Sequence, residues 1–127
     1  MGDSSNTAGE GEQLDVEAVV AALIAAHNRG DHALALESSC GALRSELEQI
    51  PAEVFAEQAR RDLERRGSGM LWGVVSVTLM PPRGSLTAFI RYTTEPDKKG
   101  DRYLFTLAKA DSWRVCDRPV PQADVRR

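Results

Sequence analysis

Residues 69–84, GMLWGVVSVTLMPPRG, contain the clearest structural signal of the chain. Apolar side chains recur at every second position of this stretch, which is the period of a β-strand and not that of a helix. The strand is predicted to end in the turn-forming residues Pro81-Pro82-Arg83-Gly84. One predicted face carries Leu71, Gly73, Val75, Val77 and Leu79, and the opposite face carries Trp72, Val74, Ser76 and Thr78.

The chain after this strand continues to alternate between apolar and polar residues. Residues 86–94, 102–110 and 113–117 predict three further strands. The connections, Pro-Asp-Lys-Lys-Gly at residues 96–100 and Asp-Ser at residues 111–112, are short enough for antiparallel hairpins. We therefore expect an antiparallel meander of about four strands.

The chain before this strand has helical periodicity instead. A first helix is predicted over residues 14–29, with Gly30 as its C-terminal cap and Asp31 as the N-cap of a short second helix that runs toward residue 40. The apolar stripe of the first helix consists of Val16, Val19, Val20, Leu23, Ile24 and His27.

Two more helical segments lead up to the strand. Leu43, Leu47 and Ile50 mark an amphipathic stretch, and Pro51 can begin a helix over residues 52–66 that Gly67 closes. The predicted inward side chains of this last helix are Val54, Phe55, Ala59 and Leu63. On its polar face, Glu57 precedes Arg61 by four residues and Asp62 precedes Arg66 by four, so we expect paired charges on a solvated surface.

Helices that precede an antiparallel meander predict an α+β domain in which the sheet wraps a long helix. The small polar residues at 1–12 predict a disordered tail or linker, residues 13–118 the domain, and residues 119–127 a flexible C-terminal tail.

Charge and hydropathy exclude two classes of partner. The chain of 127 residues has a net charge of -3, and because Asp3, Glu10 and Glu12 lie in the first 12 residues, 16 acidic and 16 basic residues remain in the domain. A neutral domain is not expected to bind nucleic acid, whose phosphates need cationic partners. No apolar run has the roughly 18 to 20 residues of a membrane helix, so any membrane association would need an anchor outside this chain.

Three short motifs resemble a known superfamily: Ala26-His27-Asn28-Arg29-Gly30-Asp31, the cysteine at 40, and Trp113-Arg114-Val115-Cys116-Asp117. Together with the order of elements over residues 14–118, they resemble the small extracytoplasmic domains of actinobacteria in the nuclear transport factor 2-like, or cystatin-like, superfamily. That group includes lumazine-binding-like domains of unknown function and resembles the outer domains of Mce-associated membrane proteins. The resemblance implies a cone of sheet around the long helix, whose open end forms a pocket or a dimer surface.

The two cysteines, Cys40 and Cys116, leave two interpretations open. An even count is compatible with one disulfide between the helical half and the last strand, or with two buried free thiols in a cytoplasmic protein. The resemblance favours the disulfide and the cell envelope. Neither cysteine has metal-site spacing, and His27 and His32 are five residues apart across Gly30, so no metal and no cofactor is expected.

Four residues are the candidate ligand-binding site at the mouth of the cone: His27, Trp72, Tyr92 and Tyr103. His27 ends the apolar stripe of the first helix, and the aromatic residues could supply pocket walls and hydroxyl donors. The leading hypothesis is a non-enzymatic extracytoplasmic domain that binds a protein partner or a small apolar ligand. It rests on the resemblance, on the neutral charge of the domain and on the missing catalytic set, since no aspartate lies in the middle of a strand.

Two alternatives remain. The first is a small isomerase or dehydratase with His27 as base and Tyr92 or Tyr103 as donor. The second is a structural module that forms a homodimer through the sheet face carrying Thr87, Phe89 and Arg91.

Overall fold

The fold is described from a computed structural model, which describes residues 4–94 and 100–122. Helices come first and an open antiparallel sheet follows, so the predicted α+β class is confirmed, with five strands where about four were expected. The elements are α1 (Ser4–Arg29), α2 (His32–Glu37), α3 (Gly41–Glu48), α4 (Ala52–Arg66), β1 (Gly69–Met80), β2 (Arg83–Tyr92), β3 (Asp101–Lys109), β4 (Trp113–Val115) and β5 (Val120–Pro121).

The sheet follows the order of the chain. β1, β2, β3 and β4 are antiparallel neighbours, and β5 pairs with β3 by placing Val120 opposite Leu104. β5 was missed because two residues are too short to show alternation. It lies in the segment predicted as a C-terminal tail, and the prediction for residues 123–127 lies outside the described residues.

Helix α1 crosses the inner face of the sheet and packs against both β1 and β4. Its buried side chains recur at helical spacing, because one stripe of the helix faces the sheet. Four residues of α1 form this stripe, Val16, Val20, Leu23 and Ala26. The main apolar partners from the sheet are Leu86, Ala88, Ile90, Phe105, Leu107, Trp113 and Val115.

The start of α1 differs from the prediction, since the helix begins at Ser4 and not at residue 14. Glu12 accepts hydrogen bonds from Lys109 Nζ and, at 3.3 Å, from Trp113 Nε1. These partners are about one hundred residues away in the chain, so composition alone could not indicate them. The predicted domain boundary at residue 12 itself stays a prediction.

The turn between α1 and α2 has both predicted caps. Gly30 has a φ of 66°, and the amide of Asp31 donates to the carbonyl of Ala26 at 2.9 Å. The Asp31 carboxylate accepts from the amide of Leu34 at 3.1 Å. Glycine and aspartate are suited to these two positions by backbone freedom and by a short acceptor side chain, respectively.

Helix α4 has the predicted bounds but buries a narrower face than predicted. Phe55 and Ala59 are buried, whereas Val54 is 42% and Leu63 38% exposed. The inward prediction for these last two residues is wrong, because α4 packs on α1 and α2 and buries only Phe55 and Ala59.

Two β-bulges shift the alternation of β1. Trp72 has no counterpart between the pairs Leu71↔Ile90 and Gly73↔Phe89, and the next irregularity leaves Val75 without one. A bulge inserts one extra residue, so side chains after it change faces. Consequently Val74 packs against the core and Val75 is 51% exposed, so the prediction that Val75 shares the face of Leu71 is wrong.

A disulfide joins Cys40, the N-cap of α3, to Cys116, the residue after β4. The backbones of these segments are also connected, since the amide of Cys40 donates to the carbonyl of Val115 at 2.8 Å and the amide of Leu43 to that of Cys116 at 2.9 Å. The structure thus contains the bridge that the resemblance favoured.

Candidate functional site

A cavity of about 420 Å³ lies between the helices and the inner face of the sheet. Its deep walls are apolar and come from all four helices and from β2 and β3. The main apolar residues of these walls are Leu23, Ala35, Leu43, Leu47, Phe55, Ile90 and Phe105.

Three of the four predicted site residues line this cavity, namely His27, Tyr92 and Tyr103. Trp72 does not join them. Leu71 packs against the core, so strand alternation turns the neighbouring Trp72 to the outer face of the sheet. There its ring meets Phe89 edge-on, with centroids 6.4 Å apart, and lies 4.9 Å from the guanidinium carbon of Arg91.

His27 lies at the mouth of the cavity. Its ring contacts the ring of Phe55 at a centroid distance of 5.5 Å, and its Nε2 is 3.6 Å from the Oδ2 of Asp62. The side chain is 58% exposed, since Ala26 and not His27 takes the fully buried position in this turn of α1. The predicted inward orientation is therefore met only in part.

Tyr92 and Tyr103 form the sheet side of the same mouth. The guanidinium carbon of Arg66 lies 3.8 Å from the ring centroid of Tyr92. Burial, followed by the neighbouring Tyr103, raises the pKa of Tyr92. Like an ordinary phenol, Tyr92 is neutral at physiological pH, and the raised pKa favours this form, which can donate a hydrogen bond.

The charged face of α4 is arranged partly as predicted. Arg61 pairs with Glu57 at 3.3 Å, but Arg66 pairs with Asp101 at 3.0 Å and not with Asp62. Asp62 instead pairs with Arg65 at 2.6 Å. Arg66 differs because the contact with Tyr92 turns its side chain toward the sheet, which a spacing rule within one helix cannot anticipate.

Asn28 is a structural residue of the site that the sequence analysis did not single out. Its Nδ2 donates to the carbonyl of Gly69 at 2.8 Å, and its Oδ1 accepts from the amide of Gly69 at 2.9 Å. This pair of bonds joins the end of α1 to the start of β1 beside the cavity. The only sequence signal for it was its position in the motif at residues 26–31.

A smaller chamber of about 190 Å³ adjoins the mouth. It shares His27, Asn28 and Tyr92 with the main cavity, and Asp62, Arg65 and Arg66 form the rest of its polar lining. The site is consequently apolar inside and polar at its opening.

The connection from β4 to β5 closes another side of the cavity. Arg118 and Pro119 line it, and the Nε of Arg118 donates to the Oε1 of Glu46 on α3 at 2.9 Å. The disulfide joins the same two segments, so this wall is held covalently and by an ion pair. Pro119 lies in the segment that was predicted to be a flexible tail, so its place in the cavity wall was not expected.

Comparisons of the chain with models of protein families, with curated proteins and with solved structures find no match. Among residues 4–94 and 100–122, no helix combines the length and apolar character needed to cross a bilayer. In the same residues, no cluster of three or more His, Cys, Asp or Glu side chains is arranged to hold a metal ion.

Proposed function

We propose that this protein is an extracytoplasmic domain of the nuclear transport factor 2-like type that binds a small apolar ligand with one polar end. The observation that carries the proposal is the cavity of about 420 Å³ behind a polar mouth. Pockets for small molecules usually measure roughly 300 to 1,000 Å³ and combine apolar walls with a few polar groups.

The chemistry of the walls specifies the orientation of the ligand. Each methylene group moved from water to an apolar wall contributes about 0.8 kcal/mol, so the hydrocarbon part of a ligand belongs inside. The neutral phenol of Tyr92, with Tyr103 and His27 beside it, offers hydrogen bonds at the mouth. A ligand with a carbonyl, hydroxyl or carboxyl group at one end fits both parts.

The disulfide supports the extracytoplasmic part of the proposal. Cys40 and Cys116 are joined, and structural disulfides persist mainly in oxidising compartments such as the cell envelope. The order of helices and strands, with a long helix across an open antiparallel sheet, supports the superfamily assignment.

Binding is better supported than the alternative of an isomerase or dehydratase. That reaction needs His27 to reach a bound substrate as a base. The imidazole is more than half exposed and lies beside Asp62 at the mouth, whereas the deep cavity offers apolar contacts.

The proposal is tested by titrating the protein with the apolar fluorescent probe N-phenyl-1-naphthylamine. Probe emission should rise on binding to the wild type. Ala35→Leu should weaken that binding, because Ala35 is buried in the cavity wall and three added carbons occupy the space of the probe. Ala33→Leu is the matched control, since Ala33 is exposed on the same helix.

Equal binding by both variants, or no binding by the wild type, would refute the proposal. Thermal unfolding of the two variants shows whether each is folded. Trp72→Ala tests whether the probe binds to the outer face of the sheet and not in the cavity. This variant should bind the probe as the wild type does, and loss of binding would count against a cavity site.

A further inference from the structure

The edge of β1 that does not pair with β2 is long and carries exposed apolar side chains. β1 is the first strand of the sheet, and within residues 4–94 and 100–122 it pairs with β2 alone. The edge at the opposite end of the sheet is short and partly occupied. Its strand β4 has only three residues, and Val115 of β4 forms a bridge with Ser39. β1 therefore presents residues 70–80 as a strand edge to a partner, since the backbone groups of Gly69 are bonded to Asn28.

This edge lacks three of the features that normally prevent strands from associating. Sheet edges are usually protected by charged residues, by proline, by short length or by β-bulges, and of these β1 has the bulges. Residues 70–80 contain no charged residue and no proline. Four apolar side chains on β1 are between 45% and 72% exposed, namely Met70, Trp72, Val75 and Met80.

The two ends of β1 are symmetric about Val75, with Met70 and Leu71 on one side and Met80 and Leu79 on the other. In an antiparallel pair of two such strands centred on Val75, Met70 faces Met80 and Leu71 faces Leu79 of the second strand. Burial follows the same symmetry at these two pairs, since both methionines are exposed and both leucines are partly buried against the core. The pair next to the axis differs, because Val74 packs against the core and Ser76 is exposed. Trp72 and Thr78, which also face one another in this arrangement, are both exposed. The two ends of the strand are thus complementary in this arrangement.

We propose that β1 pairs antiparallel with β1 of a second copy, so that two sheets join across a two-fold axis at Val75. A two-fold interface uses the same patch on both copies, which is the symmetry that this strand has. The bulges at Trp72 and Val75 twist the edge and hinder pairing with a regular strand. The β1 strand of a second copy has the same twist. Because residues 70–80 carry no charge, the two strands do not repel each other.

Sedimentation of the full chain over a range of concentrations tests the proposal. The wild type should form dimers, and Val75→Lys should shift it to monomer by about tenfold or more in dissociation constant. The reason is that residue 75 faces itself at the axis, so one substitution sets two ammonium groups against each other. Because Val75 is exposed, the variant should fold, which circular dichroism checks.

A mixture of charge variants sharpens the test. Val75→Glu alone should also be monomeric, whereas an equimolar mixture of Val75→Lys and Val75→Glu should form a heterodimer in which opposite charges meet at the axis. Thr106→Lys is the control for added charge on the sheet, since Thr106 is exposed on β3, away from the edge. This variant should remain dimeric.

A wild type that stays monomeric at every concentration would overturn the proposal. So would a dimer that Thr106→Lys dissociates and Val75→Lys does not, because the interface would then be the sheet face of Thr87, Phe89 and Arg91. Failure of the mixture to associate, with both single variants folded, would exclude an axis at Val75.

Discussion

Glu12 joins helix α1 to the sheet through one side chain. Its carboxylate accepts hydrogen bonds from Lys109 at the end of β3 and from Trp113 at the start of β4. The hydrogen bond from Lys109, only partly opposed by burial, lowers the pKa of Glu12, and that from Trp113 lowers it further. The folded protein therefore favours the charged form of this residue.

Glu12→Gln should reduce stability at neutral pH and not in acid. A group with a lowered pKa in the folded state stabilises the fold above its unfolded pKa of about 4.3. This contribution is lost as the pH falls through the folded pKa. We expect the wild type to unfold at a higher temperature than the variant at neutral pH, and the difference to shrink as the pH falls below the unfolded pKa.

Thermal unfolding at a series of pH values measures this difference. Glu17→Gln is the matched control on the same helix, where the carboxylate contacts Gln13 at 3.1 Å within the helix itself. A difference between wild type and Glu12→Gln that does not change with pH would contradict the assigned role of the Lys109 contact.

Helix α4 shows the limits of periodicity at the scale of one element. Its bounds follow from Pro51 and from Gly67, whose φ is 80°, and these signals act within a few residues. Its buried face depends on how α1 and α2 lie beneath it. Phe55 occupies that contact, whereas Val54 is next to it and largely exposed.

Phe55→Ala should lower the free energy of unfolding by about 3–5 kcal/mol, the usual cost of removing a buried aromatic ring. Val54→Ala should cost about 0.5 kcal/mol or less, as for most surface positions. Denaturant unfolding of both variants measures the two values. Similar losses would mean that both side chains are equally buried.

At the scale of the whole molecule, the disulfide joins the helical half to the end of the sheet. Cys40 and Cys116 are 76 residues apart in sequence, and the segments that follow them, α3 and the connection carrying Arg118, form one wall of the cavity. The bridge therefore affects both the stability of the fold and the shape of the site.

Replacement of both cysteines by serine should lower the free energy of unfolding by about 4 kcal/mol, because the unfolded chain regains the freedom of a long closed loop. Denaturant unfolding with and without reductant measures this loss. Reductant should bring the wild type close to the double variant and leave the double variant unchanged. A wild type that is equally stable in reductant would show that the bridge does not hold the fold.

Local signals in the chain were sufficient for the class of fold, the bounds of α4, the caps at Gly30 and Asp31, and three residues of the cavity mouth. Each depends on backbone preferences or on a period of two or 3.6 residues, which neighbours in sequence supply. The bulges of β1, the outward position of Trp72, the contacts of Glu12 and the bonds from Asn28 to Gly69 were not predictable in this way. They depend on partners that the fold brings together from distant parts of the chain, and so packing between elements, not periodicity within them, shaped the site.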